Sequence, residues 1–422
     1  MTWLTRYRVR HYVENSVWIW PSLGIFAALA AVRLLYWIEG ALDWNSSVNP
    51  ETARSVLSTM AAAMFTCIVF VSSALLVAVQ LASSQLSPRI IAMVFRDPVT
   101  RISLTVFVFA FTFSLAALVR IGDSVPPVTS VLAAYSCLAS LGVFLYLIDH
   151  VGKALRPSGA LRSVGLLGRA VVESVYPQRL GNGNGAGTQT NVFPHGEAMQ
   201  TVANPSDGVV LAFDSKGLVA IAERAECVIE LVPQVGDFVA AGDPLFRVLG
   251  SRAPWPAESL CDFVALGQER TPEQDPGFAF RIMVDIASKG LSPAINDPTT
   301  AVLAIDQIHH LLRTVGNRHL ADGRVRDSAG RLRLVYRTPD WEDFVQLAVT
   351  EIRHFGGASI QVARRLRAML ENLIQSLTSE RAALLRVELA LLHRSAERFF
   401  SEPEDRALAD VSDFQGVGSK RG

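Results

Sequence analysis

The sequence predicts an α-helical membrane protein in two parts: a four-helix transmembrane region, then an α+β cytoplasmic domain with a small barrel-sandwich-like β module and a C-terminal helical hairpin. Three observations carry this prediction. Four apolar stretches, Val17–Ile38, Val56–Ala82, Ile102–Gly122 and Val125–Ile148, fill the first third of the 422 residues. Each is near or above the ~20 residues that cross a ~30 Å hydrocarbon core as helix. Lys and Arg are distributed unevenly between the connecting segments, and past residue 155 the long apolar runs give way to short β-rich runs and then to helical periodicity.

The charges set the expected topology, because cytoplasmic loops hold the excess of Lys and Arg. The N-terminal flank has Arg6, Arg8 and Arg10 against Glu14. The first loop is acidic, with Glu39, Asp43 and Glu51 against Arg54. Arg89, Arg96 and Arg101 outweigh Asp97 in the second loop, Arg120 and Asp123 balance in the third, and Lys153, Arg156, Arg162 and Arg169 follow the fourth span. The expectation is a multi-pass protein of the inner membrane with both termini in the cytoplasm. Trp18, Trp20, Trp37 and Trp44 then bound the first span as an aromatic belt. Ala28-Leu29-Ala30 resembles a signal cleavage site, but the apolar run continues to Ile38, beyond the ~7–15 residues of a signal core, so the segment reads as a permanent span.

Formal net charge is zero, which argues against wholesale nucleic-acid binding. Cys67, Cys137, Cys227 and Cys261 have no metal-type or CxxC spacing, as suits a reducing compartment.

The chain divides into a transmembrane domain (1–155), a juxtamembrane helix and Gly/Asn-rich linker (156–197), the β module (198–252), a mainly helical domain (253–402) and a flexible tail (403–422). In the juxtamembrane helix Leu161, Val164, Leu167, Val171 and Val175 recur at helical steps, with Arg162 and Arg169 placed to reach anionic headgroups. The run Gly181–Gly187 is the linker. Strands are expected at Val209–Leu211, Leu218–Ile221, Cys227–Val232 and Leu245–Val248. Val235–Leu245 resembles the "GDxVxxGxxL" turn-strand pattern of biotinyl and lipoyl carriers over about a tenth of the chain. No lysine follows at the hairpin position, where Ser251 and Arg252 stand, so no prosthetic group is expected.

Farther on, a helix over Phe278–Lys289 ends at Gly290 and Pro293. Asp297-Pro298 starts another whose apolar side is Val302, Ile305, Ile308 and Leu312. Arg324–Tyr336 reads as a hairpin turning at Ala329-Gly330, its arginines on a solvated face. Two long helices close the fold as a hairpin, with Ala363, Leu366, Leu370, Leu373 and Leu377 before a Thr378-Ser379 cap and Leu384, Val387 and Leu391 after it, a coiled-coil-like seam for either self-association or packing within the chain.

Four blocks carry a family resemblance: "VQLASSQLSPRII" (Val79–Ile91), "YLIDHVGKAL" (Tyr146–Leu155), "RTPEQDPGFAFRIMVDIASKGLSPAINDPTTAVLAIDQI" (Arg270–Ile308) and "EIRHFG" (Glu351–Gly356). The chain resembles the bacterial integral membrane proteins grouped as domain of unknown function 2254. The resemblance implies an N-terminal membrane region, a soluble C-terminal region and no established activity.

The densest polar cluster is Asp275, Asp285, Lys289, Ser292, Asn296, Asp297, Thr299 and Thr300. Helix starts and stops account for much of it. The functional alternatives are an anionic ligand on the Thr299–Thr300 helix end, or a divalent cation held by Asp275, Asn296 and Asp297. Arg331 and Arg333 are candidates for a phosphate-bearing ligand or acidic lipid, against a solvated strand face. Asp306 and His310 would make half a metal site, with no third ligand spaced to join them. No nucleophile or P-loop motif is present. In span two, Thr59, Thr66, Ser73 and Gln80 recur every seven residues, either as a helix-packing surface or as a neutral polar lining. Three classes follow: an oligomeric channel-like or transport-related protein, favoured for this stripe; a membrane-anchored sensor or scaffold; and a membrane-bound enzyme near Asp275 and Asn296. The expected partners are the bilayer, further copies of the chain, and a small ion or anionic ligand.

Overall fold

The computed structural model describes residues 2–42, 49–89, 97–122, 125–181, 200–250 and 257–418. The chain forms two compact units, one of residues 10–160 and one of residues 1–9 with 161–422. Expectations at Trp44, Arg96, Asp123, Ser251, Arg252 and most of the Gly/Asn linker lie outside the described residues.

After a short helix α1 (Trp3–Asn15), the first unit holds α2 (Ile19–Ala41), α3 (Pro50–Gln85), α4 (Pro98–Val119) and α5 (Pro127–Ala154). These four are long and apolar enough to cross a membrane. They coincide with the four stretches read from sequence. Helix α4 is central and packs against α2, α3 and α5. Phe113 and Ala117 of α4 meet Ala28 and Val32 of α2, while Phe107 and Ala110 meet Met64, Val71 and Leu75 of α3. Phe107 is fully buried, so side chains fill the interior of the bundle.

Helix starts follow a repeated device. Asn49-Pro50 opens α3 and Asp97-Pro98 opens α4, where the carboxylate accepts from the Thr100 amide at 3.0 Å. Proline at the first helical position fixes φ where an N–H would have no partner, and the Asx side chain satisfies another.

In the second unit, α6 (Pro157–Val175) leads to β1 (Gln200–Ala203), β2 (Gly208–Phe213), α7 (Ser215–Arg224), β3 (Val228–Leu231), β4 (Phe238–Val239) and β5 (Pro244–Leu249). After α8 (Ala257–Cys261) and β6 (Val264–Gly267) come α9 (Pro276–Gly290), α10 (Pro298–Gly316), β7 (Arg324–Arg326) and β8 (Leu332–Tyr336). The chain ends with α11 (Trp341–Gly356), α12 (Ile360–Ser376), α13 (Ser379–Phe399) and α14 (Pro403–Ala409). One sheet has the order β1-β5-β3-β8-β7, the other β4-β2-β6. Both contribute to one apolar core, in which Val210, Phe213 and Val264 join Ile229, Phe246, Val248 and Leu334.

Several expectations change here. Strand β3 pairs in parallel with β8, Ile229 opposite Leu334, and β6 pairs with β2. The boundary drawn at 252 therefore does not separate a β module from a helical domain. Leu218–Ile221 is helical rather than extended: Asp214 caps α7 by accepting from the Gly217 amide at 3.0 Å, and Leu218 and Ala222 form its buried side.

Helix α6 is amphipathic as expected, but Leu161, Val164, Val171 and Val172 are buried within the second unit instead of facing lipid. Tyr176 follows, its ring edge-on to Phe344 and its hydroxyl 3.0 Å from Thr338 Oγ1.

The tail is docked through residue 418. Arg364 of α12, wholly buried, donates from Nε to the Val411 carbonyl at 3.0 Å. The Asp413 carboxylate accepts from the amides of Gln415, Gly416 and Gly418 at 3.0, 3.0 and 2.7 Å. Burial pushes that carboxyl up, and the three amides more than reverse the shift, holding it below the usual range.

Candidate functional site

Asp275 and Asp297 are two further copies of the Asp-Pro start seen at α4. Asp275 caps α9 by accepting from the Phe278 amide at 3.1 Å, and Asp297 caps α10 by accepting from the Thr300 amide at 3.1 Å. Asp275 is only 3% exposed and is gripped by Arg270 Nε and Nη2 at 2.9 and 2.6 Å. Burial pushes its carboxyl up, while Arg270 and the capped amides pull it back.

Asn296 and Asp297 lie past the far end of α9. Its 15 residues put about 22 Å between the two caps, so Asp275, Asn296 and Asp297 do not converge on one cation.

Asn296 sits at φ +50°, where a short polar side chain is tolerated, and its amide donates to Ser292 O at 2.8 Å. Thr299 is exposed; Thr300 is buried and its hydroxyl bonds back to Asp297 at 2.5 Å. Asp285 pairs with Arg281, which also forks onto Glu351 through Nη1 and Nη2, each at 2.6 Å. The cluster that stood out in the sequence is thus two helix starts and an ion-pair network.

The β7–β8 hairpin forms as expected, with Gly330 at φ +77° in its turn. Its arginines are not all solvated. Arg333 points inward, donates from Nε to Asp327 at 2.8 Å and reaches the carbonyls of Ala222 and Cys227. Arg331 is exposed and touches the same carboxylate at 3.2 Å. The Arg331 amide and the Arg333 guanidinium hold Asp327 down to about 2, against an ordinary 3.8. A depressed carboxyl stabilises the fold above its unfolded value, and that contribution is lost as pH falls through the folded one. Unfolding midpoints of the intact protein in detergent should therefore fall between pH of about 4 and about 2, and Asp327→Asn should flatten that slope. A slope unchanged in Asp327→Asn would assign the acid sensitivity elsewhere.

Asp306 and His310 do not combine into a metal site. Asp306 pairs with Arg365 at 2.7 Å, and His309 bonds Asn372 at 2.9 Å, its ring pushed toward the neutral form by burial first and then by Arg365. Among the described residues no group of three His, Cys, Asp or Glu side chains could hold a metal ion.

Within the first unit, Thr59, Thr66, Ser73 and Gln80 are all exposed. The buried side of α3 is Leu57, Ala61, Met64, Val71, Leu75, Val79 and Ala82. Thr59 follows Leu57 by two residues, a rotation of about 200°, so the stripe lies on the side of α3 away from the bundle. The Thr59 and Thr66 hydroxyls return to the Ser55 and Ala62 carbonyls at 2.9 and 3.0 Å.

Glu39, counted from the sequence as a loop charge, is a buried clamp. It accepts from the amides of Val128 and Thr129 at 2.6 and 3.0 Å and from the Thr129 hydroxyl at 2.6 Å, capping α5. Arg54 likewise donates to the Ile121 carbonyl at the end of α4 at 2.8 Å. Toward the other end of α5, His150 Nε2 lies 3.0 Å from Asp97.

In the second unit a concave surface runs between α6 and α10. One stretch of about 410 Å³ is lined by Arg162, Gly165, Leu166, Arg169, Gln307 and His310, and another of about 430 Å³ by Arg169, Glu173, Arg179, His310, Arg313 and Arg318. Arg169 and His310 belong to both, so the two are continuous. Arg162 and Arg169, seven residues apart, were the readable half of this surface; His310 and Arg313 were not.

A family profile described as "Predicted membrane protein (DUF2254)" matches residues 14–372. The uncharacterized protein Rv1290c of Mycobacterium tuberculosis and the uncharacterized protein Mb1321c of Mycobacterium bovis are each 28% identical, over 96% of this chain and 80% of their own length. No solved structure matches.

Proposed function

The chain belongs to the DUF2254 family of predicted membrane proteins, and on that premise we propose that it is a channel-like, transport-related protein working as a homo-oligomer. In this reading α3 of each subunit faces a shared path, and the C-terminal unit biases it from the cytoplasm. The direction of the α3 stripe carries the proposal. Four polar side chains on the outer side of a span meet hydrocarbon in a lone subunit, and an amide such as that of Gln80 costs roughly 2–7 kcal/mol there without a partner. A second copy removes that penalty. Because Phe107 and Phe113 fill the bundle interior, a path has to run between subunits.

The multi-pass arrangement in the inner membrane, with both termini cytoplasmic, rests on the Lys and Arg pattern. It agrees with an even number of spans and with residues 1–9 clustering in the same unit as the C-terminal domain. An enzyme site at Asp275 and Asn296 draws no support from their positions at opposite ends of α9.

Sizing in mild detergent and ion flux in liposomes test the proposal together. Oligomers are expected, with flux abolished by Gln80→Leu and Ser73→Leu. A monomer overturns the reading. An oligomer without flux leaves the anchored scaffold or sensor in its place.

A further inference from the structure

Several arginines of the second unit hold carboxylates. Arg270 holds Asp275, Arg281 holds Asp285 and Glu351, Arg333 holds Asp327, Arg353 holds Glu388 and Arg365 holds Asp306. The surface between α6 and α10 gathers five arginines around one carboxylate. Its single carboxylate, Glu173, is taken by Arg318 at 3.0 Å, and Arg318 also donates to the Pro177 carbonyl at 2.9 Å, past the end of α6. Among the described residues no acidic side chain pairs with Arg162, Arg169, Arg179 or Arg313, all four of which are exposed.

Backbone approach concentrates these cations. A Cβ on Gly168 would stand 2.6 Å from Ala279 Cβ, and one on Gly165 would stand 2.6 Å from Gln307 Oε1. Glycine at position 168 lets α6 lie close on α9 and α10, and Arg162 and Arg169 of one helix share a cleft with His310 and Arg313 of another. Like charges gathered without counter-charge raise the free energy of the empty surface, and a polyanion relieves it. Guanidinium forks suit phosphate oxygens in particular. Helix-dipole compensation accounts for Arg313, in the last turn of α10, but not for Arg162, which precedes the middle of α6.

We infer that the cleft between α6 and α10 binds the phosphate headgroup of an anionic membrane lipid. The connection to the last span selects lipid over a soluble phosphate: only Leu155 and Arg156 separate α5 from α6, and Arg162 comes eight residues after the end of α5. A basic segment so close in sequence to a span is in the reach of anionic headgroups. The inference stands apart from the channel-like reading, since a headgroup site would serve an anchored scaffold equally well.

The test titrates the intact protein in neutral detergent with short-chain phosphatidylglycerol, short-chain phosphatidylcholine and inorganic phosphate, read by calorimetry. Phosphatidylglycerol is expected to bind at least about tenfold more tightly than phosphatidylcholine, and to weaken as salt is added. The double variant Arg162→Gln/Arg169→Gln and the single variant Arg313→Gln should each lose most of that preference. Arg386→Gln, an exposed arginine of α13, should keep it. These are surface changes, so the fold is not at stake. Unchanged preference in the cleft variants overturns the assignment, as does equal binding of the two lipids. Displacement of phosphatidylglycerol by inorganic phosphate at comparable concentration overturns the choice of lipid as the source.

Discussion

Glu39→Ala is expected to lower the unfolding midpoint of the detergent-solubilised protein by roughly 6–12 °C, corresponding to about 3 kcal/mol in a unit of this size. The carboxylate is 4% exposed and accepts three hydrogen bonds from Val128 and Thr129. Removing it orphans the half-buried Val128 amide and the buried Thr129 amide and hydroxyl at the start of α5, and takes negative charge from the positive end of the helix dipole. Glu39→Gln keeps an acceptor but not the charge and should fall between alanine and the parent protein. Glu51, exposed in the first turn of α3, is the control: its alanine variant should stay within about 0.5 kcal/mol. Equal midpoints for the Glu39 and Glu51 alanine variants would show that the clamp contributes nothing.

The second large effect is expected at Asp275. Alanine there removes a helix cap, worth about 1 kcal/mol, and charge-assisted bonds from Arg270, worth about 1.5–3 kcal/mol; the sum is roughly 3 kcal/mol. Asp275→Asn keeps the cap, since asparagine serves as well at that position, and should cost about half as much. Asp297→Ala removes a cap and no ion pair, so about 1 kcal/mol is expected. Denaturant unfolding of the intact protein ranks the three. Asp297→Ala proving the most damaging would mean that Asp297 does something beyond starting α10.

The ranking bears on what the sequence made legible. Asp297-Pro298 before an apolar run is a local signal, because the cap closes within three residues, and it located the start of α10; the same pair at Asp97-Pro98 and Asp275-Pro276 starts α4 and α9, where the sequence reading placed the helices a few residues later. The four spans were equally plain, since twenty or so apolar residues have one stable solution in a bilayer. Other assignments failed where periodicity over four residues is ambiguous or where the deciding partner is distant in the chain. Leu218–Ile221 has the β-branched look of a strand, but the Asp214 cap and a buried Leu218–Ala222 side make it a helix. Arg333 alternates with leucines as a solvated residue would, yet Asp327 and two carbonyls draw it inward. The tail after Pro403 is short and polar, and what holds it is Arg364, nearly forty residues earlier.

The amino-acid order alone determined that four helices are long and apolar enough to cross a membrane and that α10 begins at Asp297-Pro298, because hydrocarbon thickness and capping act on contiguous residues. Tertiary structure decided which faces are covered and by what. Periodicity marked the buried stripe of α6 and the polar stripe of α3, but a stripe records only that one side of a helix differs from the other. Folding placed the apolar side of α6 inside the second unit instead of in lipid, set the polar side of α3 away from its own bundle, and turned Glu39 from a loop charge into the cap of α5. Each outcome depends on which element arrives opposite, and that is a property of packing between segments far apart in the chain.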